Sequence, residues 1–258
     1  IMEILYYAII VYCLKTCNTM NDTDKYINLD PMSHDECLFT VDKMTKQEKR
    51  NYHKSIIGSD LSKTTKLPCL SFNLSAEHCI TGSKLVNVEG SVCYKCYAMD
   101  GLYKVYGHIE KMKPKTEKIK NELWVSSMVW LIENQLGNRD KSYFRWHDSG
   151  DIQSIEHLEN IAKIARKLPN VKFWLPTREY KILTDWRKKY KEPKNLIIRA
   201  SAHMVDQQPP KNIGLTSTVH NTGKPIGFNC KAPSQDGACL DCRACWSPKV
   251  QNISYHIH

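Results

Sequence analysis

Two groups of cysteines are the residues of this sequence whose types and spacing could support chemistry. One group follows a C-x13-C-x2-C pattern and the other a C-x8-C-x2-C-x2-C pattern. Their members are Cys79, Cys93 and Cys96, and then Cys230, Cys239, Cys242 and Cys245. A Cys-x2-Cys step lets one short stretch of backbone present two thiolates to a metal centre. The spacing therefore predicts two metal sites.

The second group has enough ligands to close its site. Four thiolates satisfy either one zinc ion or one iron-sulfur cluster. Closely spaced cysteines are more typical of cluster-binding loops than of zinc ribbons, whose pairs are well separated. Free buried cysteines are the less favoured interpretation.

The first group is one ligand short of a closed site. Three loop-borne thiolates would bind three irons of a [4Fe-4S] cluster and leave the fourth iron open to a small molecule. If Cys69, inside the first predicted strand, joins them, the site closes and becomes structural. The sequence leaves that alternative open.

Composition places the chain among ordinary globular proteins. It has 258 residues, 41% hydrophobic and 25% charged, with a net charge of +10. The charge favours an acidic partner such as nucleic acid, or it reflects a solvated lysine-rich surface. Eleven cysteines with Cys-x2-Cys spacings in a long chain indicate metal thiolates in a reducing cytoplasm. The apolar run from Ile4 to Leu14 is too short for a bilayer span, so we expect no membrane anchor.

The elements that must position these residues form an alternating series. Strands are predicted at 67–75, 142–148, 171–177, 195–201 and 213–220, and helices at 45–57, 93–107, 115–136, 154–168 and 179–190. Such alternation predicts an α/β fold with a parallel sheet, either open or curled into a barrel. We expect an irregular lead-in at 1–66, the α/β domain at 67–221 and a cysteine-rich metal-binding extension at 222–258.

Polar residues follow the predicted strands, where the loops of a parallel sheet converge. They are His147, Asp148, Ser149, Gly150 and Asp151, then Thr177 and Arg178, then Ser201 and His203, and finally Thr216 to His220. The segment 147–151 either forms a lip that binds the charged part of a small molecule, or only caps the next helix through Asp148 or Ser149. Arg178 either pairs with Glu179 or binds a carboxylate or phosphate. Arg199, in an apolar strand, needs a partner.

Several motifs together resemble a known family. They are CYKCYAMDGLY after Cys79, FRWHDSGD, FWLPTREY, NLIIRAS and the terminal CLDCRACW. From about Leu67 to Trp246 the chain resembles the phage-associated gene product 88 domain family. It is more distantly similar to the phage proteins of the gene product 37 and gene product 68 family.

The distant resemblance implies a radical-SAM-like partial (β/α) barrel of the TIM-barrel type. Cys79, Cys93 and Cys96 would then hold a [4Fe-4S] cluster whose open iron binds S-adenosylmethionine, with Tyr97 beside the last ligand. The lip after the next strand, Asp148 to Asp151, would hold the methionine end of that cofactor. The terminal cysteines resemble an auxiliary cluster. The spacing C-x13-C-x2-C differs from the C-x3-C-x2-C usual in such enzymes.

Two functions follow from these expectations. The first is an iron-sulfur, radical-SAM-like enzyme that takes an electron from a donor. Its substrate, for which a nucleotide or nucleic acid is a candidate, would be held by Arg178, Ser201, His203 and His220. His147 and Thr177 would be among the residues that contact its cofactor. The enzyme would work in the cytoplasm, which is the host cytoplasm if a phage encodes the protein. The alternative is a basic nucleic-acid-binding protein with two structural zinc or iron-sulfur sites, using Lys-rich runs at 111–120 and 185–194 and stacking by Trp124 and Trp186.

Overall fold

The computed structural model describes residues 44–99, 102–105 and 107–257. The chain forms two compact units, divided between Ser55 and Ile56. Helix α1 (Lys46–Ile57) confirms the helix predicted at 45–57. It begins with a capping box, because the backbone N–H of Thr45 donates to Glu48 Oε2 (2.7 Å) and that of Glu48 donates to Thr45 Oγ1 (3.3 Å). The predicted features of residues 1–43 lie outside the described residues.

The second unit is built on a seven-stranded sheet in which every neighbouring pair is parallel. Its strands are β1 (Leu70–Phe72), β2 (Tyr143–Trp146), β3 (Lys172–Thr177), β4 (Leu196–Ser201), β5 (Thr216–His220), β6 (Phe228–Asn229) and β7 (Asn252–His256). Their order across the sheet is β1-β2-β3-β4-β5-β7-β6. The α/β class and the first five strands are therefore confirmed. Among the described residues no ladder joins β1 to β6, so the barrel is not confirmed.

The helices of this unit are mostly short before β2 and longer after it. They are α2 (Gly82–Leu85), α3 (Leu102–Val105), α4 (His108–Met112), α5 (Lys115–Lys118), α6 (Trp124–Glu133), α7 (Ile155–Lys167) and α8 (Tyr180–Lys189). Helix α7 shows why the sequence forms them: Leu158, Ala162 and Ala165 are fully buried along one stripe. Ser154 caps α7 by accepting the His157 N–H at 3.1 Å. The cap is thus Ser154, and the predicted capping by Asp148 or Ser149 is wrong.

Two predicted helices are interrupted. Residues 92–95 form a turn rather than a helix, because Lys95 takes a left-handed conformation (φ 48°), and a 3-10 turn at Tyr97–Met99 follows. The helix predicted at 115–136 divides into α5 and α6. Between them the side chain of Asn121 accepts the Leu123 N–H at 2.8 Å, which ends the regular ladder.

The segment after residue 222 contributes two strands that the sequence analysis did not predict. β7 lies between β5 and β6, so this segment belongs to the sheet as well as carrying the second cysteine group. In the described ranges, no helix has the length and apolar character needed to cross a lipid bilayer.

The two faces of the sheet are covered differently. Aromatic residues Phe144, Trp146 and Phe173 pack together on the face where Trp124 of α6 contacts Trp146. The cysteine-rich segment covers the other face, and Arg199 holds it there. Its fully buried guanidinium donates to the carbonyls of Ala244, Cys245, Ser247, Val250 and Thr216 at 2.8–3.3 Å. The buried arginine therefore finds its partners in backbone.

Candidate functional site

The first cysteine group converges at the carboxyl edge of the sheet. Cys79 follows a 3-10 turn (Ala76–His78) just after β1, and Val92 donates its N–H to the His203 carbonyl beyond β4 at 2.9 Å. A Cβ atom added at Gly82 would lie 3.6 Å from Cys79 Sγ and 3.7 Å from Cys93 Sγ. The two sulfurs therefore face the same point. Cys96 is close enough to raise the pKa of both thiols electrostatically.

These thiols lie in a partly dehydrated environment. Burial is the main reason why the pKa values of Cys79 and Cys93 are raised above the usual range. Metals bind thiolates, so metal binding here must release protons. The guanidinium of Arg178 acts in the opposite direction and lowers the pKa of Cys93.

A carboxylate that the sequence analysis did not single out fixes the cysteine loop. Glu179, which follows β3 and is buried, accepts the Thr81 N–H through Oε1 and the Thr81 hydroxyl through Oε2, both at 2.7 Å. Thr81 lies between Cys79 and Gly82. The only signal for this role in the sequence is the position of Glu179 directly after Arg178, which predicts an ion pair between the two as one alternative.

Arg178 has no ion pair among the described residues, so the predicted alternative of a pair with Glu179 is not observed. Its Nε is buried without a hydrogen-bond partner there. The neighbouring carboxylate of Asp151 accepts the Thr177 hydroxyl (2.6 Å) and the N–H groups of Arg178 and Ile152 (both 2.8 Å). Burial outweighs these bonds and raises the pKa of Asp151 to about 6.

The lip at 147–151 is attached to the segment after β1 through its residues 148 and 149. Asp148 N–H donates to Asn73 Oδ1 (2.7 Å), and the Ser149 hydroxyl donates to the Leu74 carbonyl (2.9 Å). A Cβ atom at Gly150 would lie 2.6 Å from Leu74 Cβ, so the close backbone approach predicted at this glycine is to the chain itself. His147 has a positive φ of 53° and turns inward, 5.5 Å from the ring of His157. Both of its ring nitrogens are buried without a partner among the described atoms.

Asp148 connects the two cysteine groups. Its carbonyl accepts the Tyr97 hydroxyl at 2.7 Å, and its carboxylate pairs with Arg145 at 2.8 Å. Burial raises the pKa values of Cys239 and Cys245 in the second group, and the guanidinium of Arg145, which stacks over Trp174, partly offsets that rise. Within this series of contacts Tyr97 is the exposed member, because 58% of its surface is accessible to solvent.

The remaining predicted site residues are distributed along the strand ends. The His203 ring stacks on Tyr180 with centroids 4.5 Å apart, and its Nε2 lies 3.3 Å from the Arg178 carbonyl. The Ser201 hydroxyl lies 2.9 Å from that of Ser217. His220 bonds to Ser254 and lines a separate cavity, and none of its described contacts involves the first cysteine group.

The second cysteine group gathers beneath the other face of the sheet. Cys230, Cys239 and Cys242 influence one another electrostatically, and Cys245 interacts with Cys230 and Cys239. Cys245 Sγ also lies 3.3 Å from the Tyr255 hydroxyl. Cys69 packs here, against Cys239, and not with the first group. Burial raises the pKa of Cys69 to about 12.

Neither group has the geometry of ligands around one ion. The eight cysteines from Cys69 to Cys245 are all free thiols. Within the described ranges no three His, Cys, Asp or Glu side chains are placed to share a single metal ion. Metal binding by either group therefore stays a prediction.

Comparison with known families decides the relationship. A family model described as Gene product 88 matches residues 38–248. The chain belongs to the gene product 88 family. This match confirms the closer of the two resemblances. The matched residues include both cysteine groups, Glu179 and strands β1 to β5. No curated protein and no solved structure matches the chain.

Proposed function

We propose that Cys79, Cys93 and Cys96 hold a [4Fe-4S] cluster whose open iron binds S-adenosylmethionine in a radical-SAM-like enzyme. The observation that carries the proposal is the convergence of Cys79 Sγ and Cys93 Sγ on Gly82, with Cys96 beside them. Three protein thiols, one fewer than a closed site needs, suit a cluster that a small molecule completes.

Residues around the thiols supply groups that a methionine-type ligand requires. Arg178 offers a cation with an unpartnered buried Nε, which suits a carboxylate. The carboxylate of Asp151, held by three hydrogen-bond donors, suits an ammonium group. The bound cluster would pass one electron to S-adenosylmethionine, whose S–C5' bond would break to give methionine and a 5'-deoxyadenosyl radical able to remove hydrogen from a substrate. The reaction needs an external electron donor.

The second group would hold a structural or auxiliary centre. Cys230, Cys239, Cys242 and Cys245 provide the four thiols, and Arg145 would partly offset the thiolate charge. Free thiols throughout the described chain are compatible with a reducing cytoplasm.

The substrate class is argued from charge. A net charge of +10 favours an anionic molecule, such as a nucleotide or nucleic acid, near Arg178, Ser201 and His203. Pure nucleic-acid binding receives less support, because Trp124 and Trp186 are fully buried and unable to stack on bases. Local ion pairs also engage several cations of the two basic runs, including Lys113, Lys120, Arg187 and Lys188.

Anaerobic reconstitution with iron and sulfide tests the proposal. We expect iron and acid-labile sulfide in the wild type. After reduction of the cluster by a strong reductant, we expect its paramagnetic spectrum to change when S-adenosylmethionine is added, and 5'-deoxyadenosine to form. Cys93→Ala should lose the spectral change, whereas Cys69→Ala should retain it. Bound zinc without sulfide would contradict the proposal. An intact first cluster whose spectrum does not change when S-adenosylmethionine is added would contradict it as well.

A further inference from the structure

A cavity of about 300 Å³ opens at the carboxyl ends of β5 and β7. Its walls are residues 206–208 after β4, residues 218–220 of β5, residues 223–226 and Ser254 of β7. Its volume lies at the lower end of the range for small-molecule sites, which begins at roughly 300 Å³. No cysteine lines it, and the proposed function leaves it without a role.

The base of the cavity holds a histidine in a fixed orientation. His220 is buried, and its Nδ1 lies 2.8 Å from Ser254 Oγ. Thr218 Oγ1 donates to Ser254 Oγ (3.4 Å) and accepts the Asn252 side-chain amide (3.0 Å). Because Ser254 already accepts one hydrogen, its own hydrogen is available for Nδ1. We therefore assign the ring hydrogen of His220 to Nε2, which makes Nε2 the donor that faces a ligand.

The only carboxylate of the cavity wall, that of Asp206, already accepts hydrogen bonds from the neighbouring loop. Asp206 Oδ1 accepts the N–H groups of Asn221 (2.9 Å) and Gly223 (3.1 Å), and Oδ2 accepts the N–H (3.3 Å) and hydroxyl (3.2 Å) of Thr222. A Cβ atom at Gly223 would lie 2.7 Å from Asp206 Oδ1, so glycine is needed for this approach. Asp206 therefore orders the loop and has little capacity left for a ligand.

The other polar groups of the wall are donors. Lys224 has no ion-pair partner among the described residues. Gln207 uses its side-chain oxygen to accept the Met204 N–H at 3.0 Å, which leaves its NH₂ group to donate. An ammonium, an imidazole N–H and an amide NH₂ around one cavity match the oxygens of an anion.

We propose that this cavity binds the oxyanion group, a carboxylate or a phosphate, of a small polar molecule through Lys224 and His220. The site needs no metal and is therefore independent of the cysteine centre. It is nonetheless its neighbour in the fold, because Val205 donates its N–H to the Gly90 carbonyl (2.9 Å) in the loop that leads to Cys93.

Calorimetric titration of the metal-free full chain with inorganic phosphate and with acetate tests the site. We expect saturable binding of at least one anion, about tenfold weaker in Lys224→Met, since a charge-assisted hydrogen bond is lost. Lys249→Met, an exposed lysine outside the cavity, serves as the matched control and should bind as the wild type does.

Ser254→Ala tests the orientation of the histidine. It removes the partner of Nδ1 without removing Lys224 or His220, and we expect several-fold weaker binding together with a changed ring ¹⁵N signal for His220. The anion that binds more tightly identifies the ligand class. Absence of saturation for both anions, or equal affinities in Lys224→Met and Lys249→Met, overturns the proposal. Neither result depends on whether the cysteines bind iron.

Discussion

Glu179 and Thr81 form a two-point clamp between the end of β3 and the loop that carries Cys79. Both carboxylate oxygens are used, at 2.7 Å each, and the carboxylate is buried. Bonds to an ionised acceptor are among the stronger hydrogen bonds of proteins. The positions of the cysteine sulfurs thus depend on a residue that binds neither sulfur nor metal.

Removing this clamp should loosen the first cysteine group. In Glu179→Ala we expect the iron and sulfide bound by the first group to fall several-fold, and the free energy of unfolding of the metal-free chain to fall by about 2 kcal/mol. Glu192→Ala is the control, since Glu192 pairs with Arg187 beyond the end of α8. Equal cluster content in the two variants would show that the clamp does not position the thiols.

The absence of a side chain at Gly82 should be required to keep the space beside the sulfurs of Cys79 and Cys93 open. A Cβ atom there would lie 2.9 Å from Cys79 Cβ and near both Sγ atoms, so Gly82→Ala must displace Cys79. We expect reduced cluster retention, measured as iron per chain after gel filtration. Alanine also has a better helix propensity than glycine by about 1 kcal/mol, which partly offsets the strain in the metal-free chain. The neighbouring Ser83→Ala should retain its cluster, and a fully loaded Gly82→Ala protein would contradict this packing.

Arg199 should hold the second cysteine group in place whether or not metal is bound. Arg199→Met removes five hydrogen bonds to backbone carbonyls, and we expect the free energy of unfolding by denaturant to fall by more than about 3 kcal/mol. Backbone amides of 244–250 should exchange faster with solvent. Arg166→Met, a more exposed arginine paired with Glu159, should cost about 1 kcal/mol or less. Similar losses in the two variants would be inconsistent with the anchoring role.

Two buried histidines should make the fold sensitive to acid. Burial lowers the pKa of His157 from 6.5 to about 3 and that of His147 well below its usual value. The unfolded chain then binds protons that the folded chain excludes, so stability present above about pH 6.5 is lost as the pH falls. Between about pH 6.5 and its own folded-state pKa, which is about 3 for His157, each histidine lowers the free energy of unfolding by about 1.4 kcal/mol per pH unit.

Replacing one of them should remove its share of this pH dependence. His157→Asn keeps an acceptor near the Gln153 N–H, which now donates to His157 Nδ1 (3.2 Å), but it cannot titrate. Unfolding between pH 4 and 7 should show a shallower slope in this variant, and the exposed His108→Asn should keep the wild-type slope. Parallel profiles for all three proteins would contradict the assignment.

Periodicity was sufficient for the regular half of the fold. Helix α7 and strands β2 to β4 were predicted within one or two residues, because a buried stripe or a buried run dictates each of them locally. The turn at 92–95 was missed because a single left-handed residue, Lys95, interrupts an otherwise helical pattern. Strand β7 was missed because its five residues gain their partners only from β5 and β6, which are distant in sequence.

The sequence by itself determined the family, the α/β class and the two cysteine groups, since these depend on residue types and local spacing. Only the tertiary structure decided that Cys69 packs with the second group, that Glu179 holds the first, and that His220 faces a cavity of its own. The physical reason is that each of these contacts joins residues tens to more than a hundred positions apart. Their pairing is set by the register of the sheet, which local pattern does not encode.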